Sequence, residues 1–179
     1  MDKFIEKTIE TEQIFQGNII SVQIDKVRLP DGKTSSREIV KHPGAVAIIP
    51  VTNENEIIFV EQYRKPLERS IVEIPAGKVE RNEAPEVTAK RELEEETGYT
   101  TNELKYITSF YTSPGFADEI IHLYYTNTLS KLEKRVKGDE DEFVEIVTLT
   151  LEEAEQYIRE KKIYDAKTMY ALLYLRMMK

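Results

Sequence analysis

Glu92, Glu95 and Glu96 stand at i, i+3 and i+4 within the stretch 77–99, GKVERNEAPEVTAKRELEEETGY. On a helix these spacings put all three side chains on one face, while Glu94 points elsewhere. Like charges so placed repel by roughly 0.2–0.5 kcal/mol per pair even when exposed. A divalent cation reverses the sign of that effect, because hard cations take carboxylate oxygen as ligand. Arg91 adjoins the acidic face, and Glu83 lies eight residues before it. An Arg–Glu pair between loop and helix would pin the loop Pro75-Ala76-Gly77 against the same surface. That loop can turn a carbonyl toward the cation, and Gly77 permits the close approach. A glutamate-rich helix by itself is most often only a solvated face, so the surrounding pattern has to decide.

These residues need elements to hold them. Apolar periodicity and turn residues predict a helix over 84–97, with Gly98 as its stop. Before it, Ile20, Val22 and Ile24 alternate with polar residues as in a half-buried strand, and the turn Leu29-Pro30-Asp31-Gly32-Lys33 leads to a hairpin partner at 37–40. Segments 45–51 and 57–64 read as central strands, with another at 70–75. After the helix, strands are expected at 104–111, 119–127 and 143–149, around a charged, loop-like stretch at 130–142. Thr150 with Glu153 is a capping-box signature for a helix to about residue 161, and Asp165 caps a last helix. This order predicts an α+β or layered α/β/α sandwich. Residues 1–42 are expected to form an N-terminal β subdomain and 43–179 the main domain. The first has few apolar residues of its own to bury, which points to packing on a second subunit.

Composition narrows the chemistry. Lys+Arg number 25 against 33 Asp+Glu, a formal charge of −8, opposite in sign to a generic nucleic-acid binder. Cysteine is absent, which removes disulfides, thiolate zinc sites and a cysteine nucleophile and suits a cytoplasmic protein. No apolar run is long enough to span a membrane. With only His42 and His122, a histidine-rich metal site or a Ser-His-Asp triad has few ways to form.

The whole string 77–99 follows Gly-x5-Glu-x7-Arg-Glu-Leu-x-Glu-Glu-x-Gly-(apolar) at Gly77, Glu83, Arg91, Glu92, Leu93, Glu95, Glu96 and Gly98, with Tyr99 in the apolar place. The chain therefore resembles the Nudix hydrolases, and the resemblance covers most of its length. It implies a mixed sheet between helices with an N-terminal antiparallel extension. It also implies hydrolysis of a nucleoside diphosphate linked to another group, with Mg²⁺ or Mn²⁺. Glu92 and Glu96 would then be metal ligands, Glu95 a ligand directly or through water and counted with the catalytic residues, and the Ala76 carbonyl a further ligand.

Pro114, sixteen residues after Gly98 in Ser113-Pro114-Gly115-Phe116, matches the marker of the bacterial ADP-ribose pyrophosphatase subfamily. Segments 61–64, 73–77, 138–145 and 165–168 also resemble that subfamily. The resemblance implies Arg64 on the pyrophosphate, and Arg37 and Glu38 reaching the partner's site in a domain-swapped homodimer. Lys78, Ser113, Pro114, Gly115 and Glu119 would line the nucleotide sugar. The general base would lie on the loop before the strand at Phe143, as Glu140 or Glu142. Glu140 is favoured as base, with Glu142 as an additional metal ligand. Relatives stack adenine on an N-terminal aromatic. Asn18-Ile19 is not aromatic here, so either Phe15 substitutes or the purine contact is weaker. The expected reaction is ADP-ribose and water to AMP and ribose 5-phosphate. The alternatives are another nucleoside diphosphate sugar as substrate, or a non-catalytic ADP-ribose sensor.

Overall fold

The computed structural model describes residues 3–134, 136, 138 and 143–178. Its contacts resolve into two compact units, Met1–Gly44 with Phe110–Ile120, and Ala45–Ser109 with Ile121–Lys179.

The first unit contains a three-stranded antiparallel sheet in the order β1 (Lys7–Gln16), β2 (Ser21–Arg28), β3 (Thr34–Lys41). The turn between β2 and β3 is the one the sequence predicts. Gly32 donates to the Leu29 carbonyl at 2.9 Å with φ of 85°, and the Asp31 carboxylate accepts from the Lys33 amide at 3.0 Å. β1 is the unexpected strand. Its register slips between Thr8 and Glu10 and again between Gln13 and Phe15. Each bulge resets the alternation of faces, so the period-2 signal is lost from the sequence. What β1 shares with β2 is polar: the buried Asp25 accepts from Thr11 at 2.8 Å, Gln23 at 2.9 Å and Thr8 at 3.2 Å.

The second unit begins with β4 (Ala45–Pro50), β5 (Ile57–Arg64), β6 (Arg69–Glu73) and β7 (Ala76–Lys78), followed by helix α1 (Pro85–Thr97). Then come β8 (Tyr99–Thr101), β9 (Lys105–Tyr111), β10 (Ile120–Thr126), β11 (Leu129–Lys131) and β12 (Val144–Leu149), and finally α2 (Leu151–Arg159) and α3 (Ala166–Met178), residues 110–111 of β9 and 120 of β10 counting with the first unit. One sheet runs β7-β4-β10-β9, with β4 and β10 parallel and β4 and β7 antiparallel. A second runs β12-β5-β6, all antiparallel, and β11 pairs with β8. The apolar runs expected to be central are central: β4 and β5 each lie between two neighbours.

α1 starts with Pro85 at its first position and stops at Gly98, whose φ is 72° and whose amide donates to the Glu94 carbonyl at 3.0 Å. It is seated by Ala89 and Leu93, fully buried against Val46, Ile48 and Tyr124. Burial of a leucine side chain is worth about 1.5–3 kcal/mol, so Leu93 fixes which way the helix faces. Glu92 and Glu96 flank this apolar seat and are buried with it, at 7% and 1% exposure. α2 carries the capping box the sequence predicts: Thr150 Oγ1 accepts from the Glu153 amide at 3.2 Å, and the Glu153 carboxylate accepts from the Thr150 amide at 2.9 Å. No helix among the described residues is long and apolar enough to cross a membrane.

Candidate active site

The buried carboxylates of α1 meet β7 and the residues before it. Glu96 Oε2 accepts from the Ala76 amide at 2.9 Å. Gly77 lies under Glu92 so closely that a Cβ there would stand 2.0 Å from the Glu92 Cδ. Its missing side chain is the space the carboxylate fills. The pairing of Ala76 and Gly77 with Ala47 and Val46 turns this loop into a short edge of the sheet, so the cradle for Glu92 is set by a β ladder. Three acidic residues in the C-terminal half of a helix also oppose its macrodipole, at about 0.3–1 kcal/mol each. Packing accounts for Leu93 but not for them.

Arg91 is the countercharge. Its Nη1 lies 2.8 Å from Glu92 and 2.7 Å from Glu95, and Nη2 lies 3.4 Å from Glu83. The loop-to-helix pair Glu83–Arg91 expected from the sequence is therefore present. Burial alone would lower the Arg91 pKa. The field of Glu92 and the bonds to Glu83 and Glu95 outweigh it and hold the guanidinium charged. Glu83 is held below the usual carboxylate range, first by the Thr88 hydroxyl at 2.8 Å and, against burial, by Arg91. Glu94 turns away, as its spacing requires, and accepts from Thr100 at 2.5 Å.

Arg64 ends β5 with its Nε 2.6 Å from Glu73 Oε2. Glu73 is 3% exposed and also takes Lys167 of α3, which in turn bonds Asp165 at 3.0 Å. Sequence reasoning gave Glu73 and Lys167 no role. The available signal was a charge inside the apolar run Ile71-Val72-Glu73-Ile74, since a buried carboxylate needs a partner.

The other expected residues are dispersed. Lys78 pairs with Glu80 at 3.3 Å. In the first unit, Arg37 holds Glu6 through two bonds of 2.8 and 2.6 Å and reaches Ser35, while Glu38 is exposed on β3. Ser113 closes a turn by accepting from the amides of Phe116 and Ala117, with Pro114 and Gly115 exposed at its tip. Glu119 accepts from Thr112 at 2.5 Å and lies 3.7 Å from His42 Nε2. Phe15 is 53% exposed, its ring lying over Gly17. Glu140 and Glu142 fall outside the described residues. His122 receives an ordinary partner, Ser109, at 2.7 Å.

The donors fit a hard divalent cation by chemistry: carboxylate oxygens of Glu92, Glu95 and Glu96, beside a backbone edge at Ala76. Among the described residues no three carboxylate or imidazole groups yet converge on one point. The Arg91 guanidinium occupies the place between Glu92 and Glu95.

The chain is similar to known proteins over nearly its whole length. Residues 41–172 match the model of the NUDIX domain, and residues 6–40 match the nucleoside diphosphate sugar hydrolase N-terminal domain. The chain is 64% identical over 174 residues to a methanol dehydrogenase activator of Bacillus methanolicus, covering 97% of this chain and 94% of that one. It is 59% identical over 177 residues to an ADP-ribose pyrophosphatase of Bacillus subtilis, covering 99% and 96%. A solved structure described as an ADP compounds hydrolase superposes with a TM-score of 0.84 at 19% identity, covering 96% of this chain and 92% of that one. At that identity it speaks for the fold alone.

Proposed function

The chain belongs to the Nudix hydrolase family, and from that premise we propose that it hydrolyses the pyrophosphate bond of ADP-ribose to AMP and ribose 5-phosphate. The observation that carries this reading is the pair of buried carboxylates, Glu92 and Glu96, seated against Gly77 and Ala76, with Arg91 as the counterion of Glu92. The 59% identity to the Bacillus subtilis enzyme over nearly the whole chain supports the substrate.

Members of the family use divalent ions, and magnesium is the ion proposed here, with manganese as its substitute. Glu92, Glu95, Glu96 and the Ala76 carbonyl would hold it, and Glu142 would add a ligand. When bound there, it would supply charge neutralisation on the diphosphate and a lowered pKa for the attacking water. The chain's own groups do the rest. The guanidinium of Arg64 offers a planar fork of donors to phosphate oxygens. Lys78 adds a charge near the same loop, and Ser113, Pro114, Gly115 and Glu119 line the sugar. Glu83 tethers the loop to α1 through Arg91. Glu140 takes the proton of the attacking water, and Glu95 supports the reaction from α1.

Residues 1–42 act as a subdomain that pairs with a second copy, so that Arg37 and Glu38 serve the partner's site. The exposure of Ile9, Ile14 and Phe15 on β1 supports such pairing, and Phe15 is the candidate to stack on adenine. A cytoplasmic location suits a cysteine-free chain.

The test is a substrate panel with Mg²⁺ or EDTA, read by release of AMP and ribose 5-phosphate. A kcat/KM preference for ADP-ribose over GDP-mannose supports the reading, and equal or reversed preference overturns the substrate. Glu140→Gln should lower kcat far more than metal affinity, and an unchanged kcat moves the role to Glu142. The 64% identity to the methanol dehydrogenase activator favours a second reading, in which this chain stimulates an alcohol dehydrogenase. Adding it to methanol dehydrogenase turnover assays tests that directly.

A further inference from the structure

Glu73 lies outside the motif at 77–99. It sits at the end of β6 with its side chain 4% exposed, between two cations. Oε2 accepts from Arg64 Nε at 2.6 Å, and Oε1 accepts from Lys167 Nζ. Arg64 is far more open, at 37%. The carboxylate is the fixed end of the pair and the guanidinium the presented end. The bond uses Nε, and among the described residues neither terminal nitrogen has a bonded partner, which leaves the two as the fork for an outside anion.

The fixing is redundant. Lys167 bonds Asp165 Oδ1 at 3.0 Å, and the same oxygen caps α3 by accepting from the Thr168 amide at 3.0 Å. Thr168 Oγ1 then accepts at 3.0 Å from the amide of Ile74, the residue after Glu73. The first turn of α3 therefore clamps both the side chain of Glu73 and the backbone beside it. Three residues further on, the Ala76 amide holds Glu96. Three residues of chain span at most about 11 Å, so the backbone that carries Glu73 lies within that reach of the amide that holds Glu96.

Stability alone does not call for this arrangement. Replacing a buried ionic cluster with apolar residues of similar volume is often neutral or stabilising. What an ionic cluster does supply is a set direction for a charged group.

We propose that Glu73, locked by Lys167 and the first turn of α3, is a positioning residue that aims the Arg64 guanidinium at the diphosphate. The proposal rests on the reading of Arg64 as a pyrophosphate contact. Outer partners that orient metal ligands typically carry about 10–100-fold in activity, and the same scale is taken for an outer partner that orients a phosphate-binding guanidinium.

The experiment is a double-mutant cycle of Glu73→Gln and Arg64→Ala, with AMP release and the dissociation constant of inorganic pyrophosphate, measured by calorimetry, as readouts. Glu73→Gln should lower kcat/KM by about 10–100-fold in the native background, yet by no more than about twofold when Arg64 is already alanine. The loss in thermal midpoint should be smaller in the Arg64→Ala background, where the bond between Arg64 and Glu73 is already gone, so stability is read separately from activity. A merely structural Glu73 would give equal activity losses in both, and that result overturns the proposal. Lys167→Met should repeat the pattern and Lys167→Arg restore most of the activity. This pair is read in place of Glu73→Gln if that variant does not fold. If the native chain releases no AMP from ADP-ribose, the substrate reading fails while the pyrophosphate cycle still tests Glu73. A native chain that binds no pyrophosphate, or binds it with additive losses, refutes the positioning role.

Discussion

Gly77→Ala separates the geometry of the carboxylate cradle from the stability of the fold. The added Cβ would lie 2.0 Å from Glu92 Cδ and 2.2 and 2.4 Å from its two oxygens, where ordinary contact begins near 3.4 Å. The carboxylate must therefore retreat by about 1.5 Å, and being the end of a flexible side chain it can do so without unseating α1. Gly77 is not among the residues with positive φ, so alanine meets no backbone strain. It should recover part of any cost by restricting the unfolded chain, by about 0.4–1 kcal/mol. The fold should stand within a few degrees of the native thermal midpoint.

Catalysis should not stand. A misplacement near 1 Å in a catalytic constellation can cost about 100-fold, equivalent to about 2.7 kcal/mol in the barrier. AMP release under saturating ADP-ribose, titrated with Mg²⁺, should show kcat down by about two orders of magnitude and a weaker metal midpoint. If the variant keeps a third or more of kcat with the native Mg²⁺ midpoint, Glu92 does not work from the position that Gly77 opens for it, and the reasoning fails.

Two further outcomes concern stability. The Asp25 carboxyl is held below its ordinary range, first by Thr11 and then by Gln23 and Thr8 against the effect of burial. Its contribution is fully present above the unfolded value, about pH 3.9, and is lost as pH falls through the lower folded value. The urea midpoint of the native chain should therefore drop below pH 4 more steeply than that of Asp25→Asn, and equal slopes would contradict the assignment. Thr150→Ala removes the hydroxyl half of the α2 capping box. It should cost about 1 kcal/mol and about 2–4 °C in thermal midpoint, with no change in KM.

The acidic motif at 77–99 was legible because its spacing is local: Glu92, Glu95, Glu96, Arg91 and Glu83 fall within one loop and one helix. Capping and turn chemistry were legible for the same reason, as at Gly98, Thr150, Asp165 and Gly32. Three kinds of feature were not. β1 hides its period behind two bulges. β7, β8 and β11 are three residues each, too short to show any period, and exist through their partners. Glu73 meets Lys167 across 94 residues of chain, a pairing that follows from how α3 docks and from nothing near either residue. Spacing alone makes Arg91 a tether to Glu83. That one of its nitrogens also bridges Glu92 and Glu95 depends on side-chain directions that spacing does not fix.

That bridge gives Arg91 two opposed effects on cation binding. Glu83, Glu92 and Glu95 all face this one guanidinium, which keeps the acidic surface from repelling itself. A dication held by Glu92 and Glu95 would have to take the place of Arg91 Nη1, giving up charge-assisted bonds worth about 1.5–3 kcal/mol each in buried settings. With the Arg91 side chain 31% exposed, about 1–2 kcal/mol is the reasonable share after solvent screening. Arg91→Met should therefore lower the thermal midpoint in EDTA, because the acids lose their partner. It should also shift Mg²⁺ binding, followed by calorimetry, to roughly tenfold tighter. Turnover should fall nonetheless, because Glu83 no longer tethers its loop to α1. If the variant instead binds Mg²⁺ more weakly, Arg91 orients the ligands more than it competes for them, and the bridge it makes between Glu92 and Glu95 is part of the metal-bound arrangement as well.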